Sequence, residues 1–355
     1  MTRRTVPIRE EIRTLDAYRL VPEGAPPLRA KLDFNESPFD VPEEIRVEVL
    51  ARLAARRWGR YPEFGAPRVK LAIANSIGRR PAEIVVGNGS GEVILAAVSV
   101  FAGGGTLVLS PPTFSLYKQI AAIAAARVAD VPRTGPDFAL AEEEFLAASR
   151  QPGAVPLVCS PNNPTGGVVG RPFLERLLEV ASVVLLDQAY VDFAEAGDDA
   201  LGLVGPDSNL VVFRTLSKAY AAAGFRIGYA VAAPELVLEI EKAILPFSVD
   251  LAAEELAIAV LSHSEISREH VRRIVAERER VSAALRAAGA VVAPSRSNFL
   301  FVRPPAADAA HVRRCLLERG ILVRDMTSAV PGRLRVSIGS PLENDLFLEA
   351  FLEVI

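Results

Sequence analysis

Apolar residues in the middle of the chain come in unbroken blocks rather than in alternation. EIVVG (83–87), GTLVLS (105–110), AVPLVCS (154–160), SVVLLDQAY (182–190) and NLVVFRTLSK (209–218) have this character. Helical stretches lie between them: GEVILAAVSVFA (91–102), TFSLYKQIAAIAA (113–125) and RPFLERLLEVA (171–181). Continuous apolar strands are buried on both faces, so the pattern predicts an α/β architecture with a mainly parallel sheet between helices. Before this region, VPEEIRVEVLARLAARRWG (41–59) carries Glu43 and Glu44 at its start and Arg56 and Arg57 near its end. That order suits a helix dipole and predicts a helix stopping at Gly59. Past about residue 240 the pattern changes. A long amphipathic helix over about 265–287 ends at Gly289, and the alternating strands SNFLFVRP (297–304) and GRLRVSIG (332–339) flank another helix. These predict a smaller α+β domain with one sheet face in solvent. The expected organisation is an N-terminal segment (1–35), a large domain (36–240) and a small domain (241–355).

Composition narrows the functional classes. Half of the 355 residues are hydrophobic, enough for a large core, and the net charge of −3 offers no broad basic face for nucleic acid. The arginines of REHVRRIVAERER (268–280) alternate with Glu269, Glu277 and Glu279, as on a solvated helix face. The uncharged run Val93–Tyr117 has the length of a membrane span, but Gly103, Gly104, Gly105, Pro111 and Pro112 interrupt it. A buried helix, a turn and a buried strand account for it better. Cys159 and Cys315 are the only cysteines, which predicts reduced thiols in the cytoplasm. His263, His270 and His311 lack metal-ligand spacing, and MTRRTVPIREEIR lacks the apolar core of a signal peptide. The expectation is a cytoplasmic protein with no metal, membrane or nucleic-acid partner.

In a parallel sheet, ligands gather at the carboxyl ends of the strands. Those ends carry PNNPTGG (161–167), Asp187 followed by Tyr190, RTLSK closing on Lys218, and GNGSGE (87–92) opening a helix. The chemistry that needs a lysine, a buried carboxylate, an asparagine and a glycine-rich helix start is that of pyridoxal phosphate. The lysine captures the aldehyde, and the carboxylate pairs with the protonated ring nitrogen. Helix N–H groups, Ser217 and Arg226 suit the phosphate. Other motifs fit less well. GNGSG lacks the G-x-G-x-x-G spacing of dinucleotide loops, Ser90 has Asn88 and Glu92 where the G-x-S-x-G elbow needs glycines, and TLSK lacks the first serine of S-x-x-K.

In order along the chain, LDFNESPF (32–39), RYPEFG (60–65), GNGSGE, PPTFSLY (111–117), SPNNPTG (160–166), DQAYVDF (187–193), RTLSKAYAAAGFRIGY (214–229) and RLRVSIG (333–339) span nearly the whole sequence. In this order the chain resembles the fold-type I aminotransferases, and among them the histidinol-phosphate aminotransferase family. The resemblance implies pyridoxal 5'-phosphate as cofactor and a seven-stranded, mainly parallel large sheet. It matches Lys218 to the cofactor-linked lysine that also shuttles the substrate's α-proton. Asp187 matches the partner of the ring nitrogen, and Asn163 and Tyr190 match the groups facing the ring's phenolic oxygen. Phe114 matches the stacking aromatic. Ser90, Gly91, Ser217 and Arg226 match the phosphate cup, and Tyr61 matches a residue that reaches the phosphate of the other subunit, which implies a homodimer with shared sites. Arg335 and Arg324 match contacts to the substrate's acidic groups, and Tyr18 an N-terminal residue near the substrate. Asn163 is also counted with the substrate contacts.

Three positions depart from the family pattern. GSGE replaces G-S-D-E, DQAY replaces D-E-A-Y, and Phe114 stands where tyrosine is common. None removes an essential group, but together they leave the substrate open. The implied reaction is histidinol-phosphate:2-oxoglutarate transamination in histidine biosynthesis. An aromatic amino acid aminotransferase and a threonine-phosphate decarboxylase-like lyase remain as alternatives, and a non-catalytic cofactor-binding module as a further one.

Overall fold

The computed structural model describes residues 6–15, 26–305 and 308–355. Its strands are β1 (Ala30–Leu32), β2 (Ile84–Asn88), β3 (Thr106–Leu109), β4 (Arg127–Asp130), β5 (Ala154–Cys159), β6 (Val184–Asp187), β7 (Leu210–Thr215), β8 (Ile227–Val231), β9 (Val291–Val292), β10 (Phe299–Arg303), β11 (Ile321–Asp325) and β12 (Leu334–Ser337). Seven of them form the large sheet in the order β2-β8-β7-β6-β5-β3-β4. Every pairing from β7 to β4 is parallel, and β8 runs antiparallel to both its neighbours. β2 is therefore aligned with the parallel strands, and its carboxyl end joins theirs.

Both faces of this sheet are covered, as unbroken apolar strands require. Val158, Leu186 and Val212 face one side, against the helices Glu43–Ala54, Pro67–Ile77, Arg171–Val180 and Leu251–Ser262. Leu157, Leu185, Val211 and Phe213 face the other, against Ser90–Phe101, Leu116–Ile123 and Pro234–Glu241. Burying each such side chain contributes about 1.5–3 kcal/mol relative to leaving it in water. The uncharged run after Val93 resolves into a helix, β3 and the start of the next helix. Among the described residues no helix is long and apolar enough to cross a membrane.

The first long helix ends at Ala54, short of Gly59. Glu254 and Glu255 are buried on the Leu251–Ser262 helix, and Arg56 turns away from the helix axis to pair with both. Arg68 donates to Glu255 at 2.6 Å. Two desolvated carboxylates need cations more than the helix needs another turn. By packing, Leu251–Ser262 goes with the large sheet, beyond the division at 240 expected from the sequence.

The smaller sheet has the order β1-β11-β12-β10-β9, with β1 parallel to β11. Leu300, Val302, Val323, Leu334 and Val336 form its apolar core. The opposite face does not lie in solvent, contrary to the expectation from its alternation. All of β12 is buried. Phe301 meets Phe138 at 5.3 Å between ring centroids, and Phe299 meets Tyr190 at 5.1 Å. The polar positions of this face point at the other domain, not at water. Arg278 is a second correction. It sits among surface ion pairs in sequence, yet it is buried and donates to the carbonyls of Phe193 and Ser297 at 3.1 Å each.

Candidate active site

The candidate phosphate cup starts from two glycines. Gly89 precedes the helix Ser90–Phe101 with φ 80°, and a Cβ there would lie 2.3 Å from Arg226 Nη2. A Cβ on Gly228 of β8 would lie 1.9 Å from the Ser90 nitrogen. Only glycines let the helix start, β8 and the Arg226 guanidinium converge this closely. Arg226 itself has φ 55°, and its Nη1 lies 3.3 Å from Ser217 Oγ and donates to the Ala223 carbonyl at 3.0 Å. Thr215 Oγ1 lies 2.9 Å from Ser217 Oγ and fixes that hydroxyl. Helix-start N–H groups, a hydroxyl and a guanidinium thus meet at one point, as binding a phosphate dianion requires. Gly91 is part of this start, and replacing the usual aspartate there leaves the backbone donors intact.

Lys218 follows the end of β7 and donates from Nζ to the Phe34 carbonyl at 2.9 Å. Burial, followed by the charges of Arg335 and Arg226 and against the pull of Glu36, brings its ammonium down to about 7. An amine poised there is a nucleophile at neutral pH. Asp187 closes β6 and is buried. Its Oδ2 accepts the Tyr117 hydroxyl at 2.6 Å and its Oδ1 accepts the Ala189 N–H at 2.9 Å. Burial raises the Asp187 pKa, and these two donors oppose the rise. The result is a carboxylate prepared for a cationic partner.

Asn163 and Tyr190 come together with Arg335. Arg335 Nη1 donates to Asn163 Oδ1 at 2.7 Å, and Asn163 Nδ2 donates to Tyr190 Oη at 3.3 Å. Arg335 also bonds the Asp33 carbonyl and is only 8% exposed, so its place in an alternating strand does not put it in solvent. Arg324 of β11 is the direct cross-strand partner of Arg335. Phe114 meets Tyr117 edge-on at 5.5 Å. Gln188 is buried and turned away from Asp187, donating to the Asp198 carbonyl at 2.8 Å and accepting from Ala200 N–H.

One predicted site residue, Tyr61, falls apart from this cluster within the chain. It is 80% exposed and stacks on Phe247 at 4.6 Å, and Phe247 also meets the exposed Phe64 edge-on. Tyr18 lies outside the described residues. The structure also brings in residues that sequence reasoning left out. Tyr117 holds Asp187. Asn35 donates to Tyr190 Oη at 3.1 Å. A tyrosine in an apolar helix needs a buried partner for its hydroxyl, which was the available signal for Tyr117. Among the described residues no His, Cys, Asp and Glu cluster is suited to a metal ion.

The fold and this donor set define a class of pyridoxal-phosphate enzymes. The sequence model for aminotransferase class I and II matches residues 30–351, and the chain belongs to that family. It is 39% identical over 346 residues to the histidinol-phosphate aminotransferase of Thermococcus kodakarensis, covering 98% of each chain. It is 39% identical to that of Roseiflexus castenholzii, covering 91% of this chain and 89% of that one. The structure of the Sinorhizobium meliloti histidinol-phosphate aminotransferase in complex with pyridoxal-5'-phosphate superposes with a TM-score of 0.84 at 26% identity, covering 98% of this chain and 97% of that one. The chain is an aminotransferase, and its cofactor is pyridoxal 5'-phosphate.

Proposed function

We propose that the chain transfers the amino group of histidinol phosphate to 2-oxoglutarate in histidine biosynthesis, as a cytoplasmic homodimer. The names of its full-length relatives favour this donor. The structural observation that carries the reading is the register of Arg324 against Arg335. Two guanidiniums at directly opposite positions of paired strands offer an oxyanion two forks, which suits a phosphate or a dicarboxylate.

Lys218 would hold the cofactor through Nζ, and Ser90, Gly91, Ser217 and Arg226 would hold its phosphate. Asp187 would face the ring nitrogen, and Phe114 the ring plane. When bound, the cofactor supplies an aldehyde that captures amines and a ring that takes up the electrons of the broken α-C–H bond. Lys218 Nζ, once free, would take the proton from the substrate α-carbon. Asp187 keeps the ring nitrogen protonated. Arg335 would orient the substrate's acidic group, and Asn163 bridges Arg335 and Tyr190. Tyr61, exposed on an apolar patch, completes the cup of a second copy.

The test is a half-reaction. Purified holoenzyme is mixed with one amino donor and no acceptor, and the cofactor's visible band is followed. Rapid loss of the band with histidinol phosphate, and not with phenylalanine or O-phosphothreonine, supports the reading. Preference for phenylalanine makes the enzyme an aromatic aminotransferase. Carbon dioxide release from O-phosphothreonine makes it a lyase.

A further inference from the structure

Asn35 lies just past β1, where the chain leaves the small sheet for the active site. It is 1% exposed and has φ 54°. Each of its polar groups is engaged. Its backbone N–H donates to Ser337 Oγ at 2.8 Å, and its carbonyl accepts from Asn298 Nδ2 at 3.0 Å. Its Oδ1 accepts from the Ser337 hydroxyl at 2.9 Å, and its Nδ2 donates to Tyr190 Oη at 3.1 Å.

These bonds fix directions as well as places. The one hydroxyl hydrogen of Ser337 goes to Asn35 Oδ1, so the nitrogen end of that amide must face Tyr190. Arg335 has only donors, and its bond to Asn163 Oδ1 turns the nitrogen end of that second amide to Tyr190 as well. An amide nitrogen donates and does not accept. The Tyr190 oxygen thus receives two N–H donors, and its acceptor capacity is filled. Its single proton has to point elsewhere, and no described residue accepts it.

We propose that Asn35 is a positioning residue that, paired with Asn163, sets the Tyr190 hydroxyl as an obligatory hydrogen-bond donor into the active site. This rests on the reading that Tyr190 faces the cofactor's phenolic oxygen. A donor to that anionic oxygen stabilises its charge and weakens its hold on the proton at the linked Lys218 nitrogen. The pH at which that proton leaves is thereby lowered. The other charged and titratable groups near Tyr190 and Lys218 are Asp187, Cys159, Arg335, Arg226, Lys31 and Glu36, from the large sheet, β12, the cup and the 31–36 segment. The substitutions below alter none of them.

The readout is the pH midpoint of the visible band in holoenzyme. In Asn35→Asp the new carboxylate only accepts, so it draws the Tyr190 proton to itself, and the midpoint rises by about half a unit or more. Asn35→Gly suits the left-handed backbone, adds no charge and moves the midpoint in the same direction. It carries the test alone if Asn35→Asp does not fold. Asn298→Ala loosens the same backbone without touching Tyr190 and leaves the midpoint in place. If Tyr190→Phe shifts the midpoint and neither Asn35 variant does, the proposal is overturned. Equal shifts in Asn35→Gly and Asn298→Ala also overturn it, because general loosening then explains both. A midpoint unmoved even by Tyr190→Phe instead overturns the underlying placement of Tyr190 against the cofactor.

Discussion

A lysine whose ammonium is brought to about 7 changes character within the physiological pH range. Below that value Nζ is protonated and cannot attack an aldehyde; above it the amine is free. The rate at which cofactor-free protein captures pyridoxal phosphate should therefore rise with pH through about 7 and then level off. Stopped-flow absorbance checks this, and a midpoint near the usual lysine value, about 10.4, would contradict it. Tyr117→Phe deletes the 2.6 Å donor to a buried carboxylate. Bonds to charged groups are worth about 1.5–3 kcal/mol, so kcat/KM should fall by about tenfold or more. The Asp187 pKa rises when that donor is lost, so the acid limb of the pH profile should move to higher pH. An unchanged profile would remove Tyr117 from the site. Lys218, Asp187 and Asn163 were legible in the sequence because each follows an apolar strand directly. Tyr117 and Asn35 were not, because their roles depend on partners 70 and 155 residues away.

Among the elements, the closest constraint is at the cup. Gly89→Ala places a Cβ against the Arg226 guanidinium and asks alanine to adopt φ 80°. The arginine end is movable, so the chain should fold, losing about 1–3 kcal/mol to a backbone conformation that is essentially glycine's alone. Cofactor affinity should fall about tenfold through the displaced guanidinium, since a lost charge-assisted bond costs at least about 1.4 kcal/mol. Equilibrium titration of the variant with pyridoxal phosphate measures this, and wild-type affinity would argue against Arg226 as a phosphate ligand. The central strands could be read from their unbroken apolar runs. β4 and β8 could not: RVAD is a mostly exposed edge strand, and IGYAV follows an irregular turn without a break in composition. The small sheet misled for a different reason. Its polar face obeys the alternation expected of a solvated strand, and nothing in one strand's period distinguishes water from a neighbouring domain.

For the whole molecule, the proposed homodimer can be tested at Tyr61, which is exposed and stacks on Phe247, itself edge-on to the exposed Phe64. If Tyr61 serves the partner's cup, two defective chains can repair each other. Lys218→Ala and Tyr61→Phe chains should each be inactive when cofactor is limiting. After equal mixing and exchange, half the dimers are mixed and each has one intact site, so about a quarter of wild-type activity should return. No recovery from mixed dimers confirmed by mass would place Tyr61 outside the shared site.

The parallel pairing of β1 with β11 joins Ala30 to Ile321. A ribosome therefore makes one edge of the small sheet long before its mate. The strands and helices of the large sheet have all emerged by then, with Lys218 and Asp187 among them. The stretch from Asp33 to Asn35 has no Asn298, Arg335 or Ser337 to fasten to until β10 and β12 appear. The enzyme has its lysine before its active site can be completed. A nascent chain stalled before β11 would carry the reactive amine with the Phe34 segment already made but not yet fastened beside it.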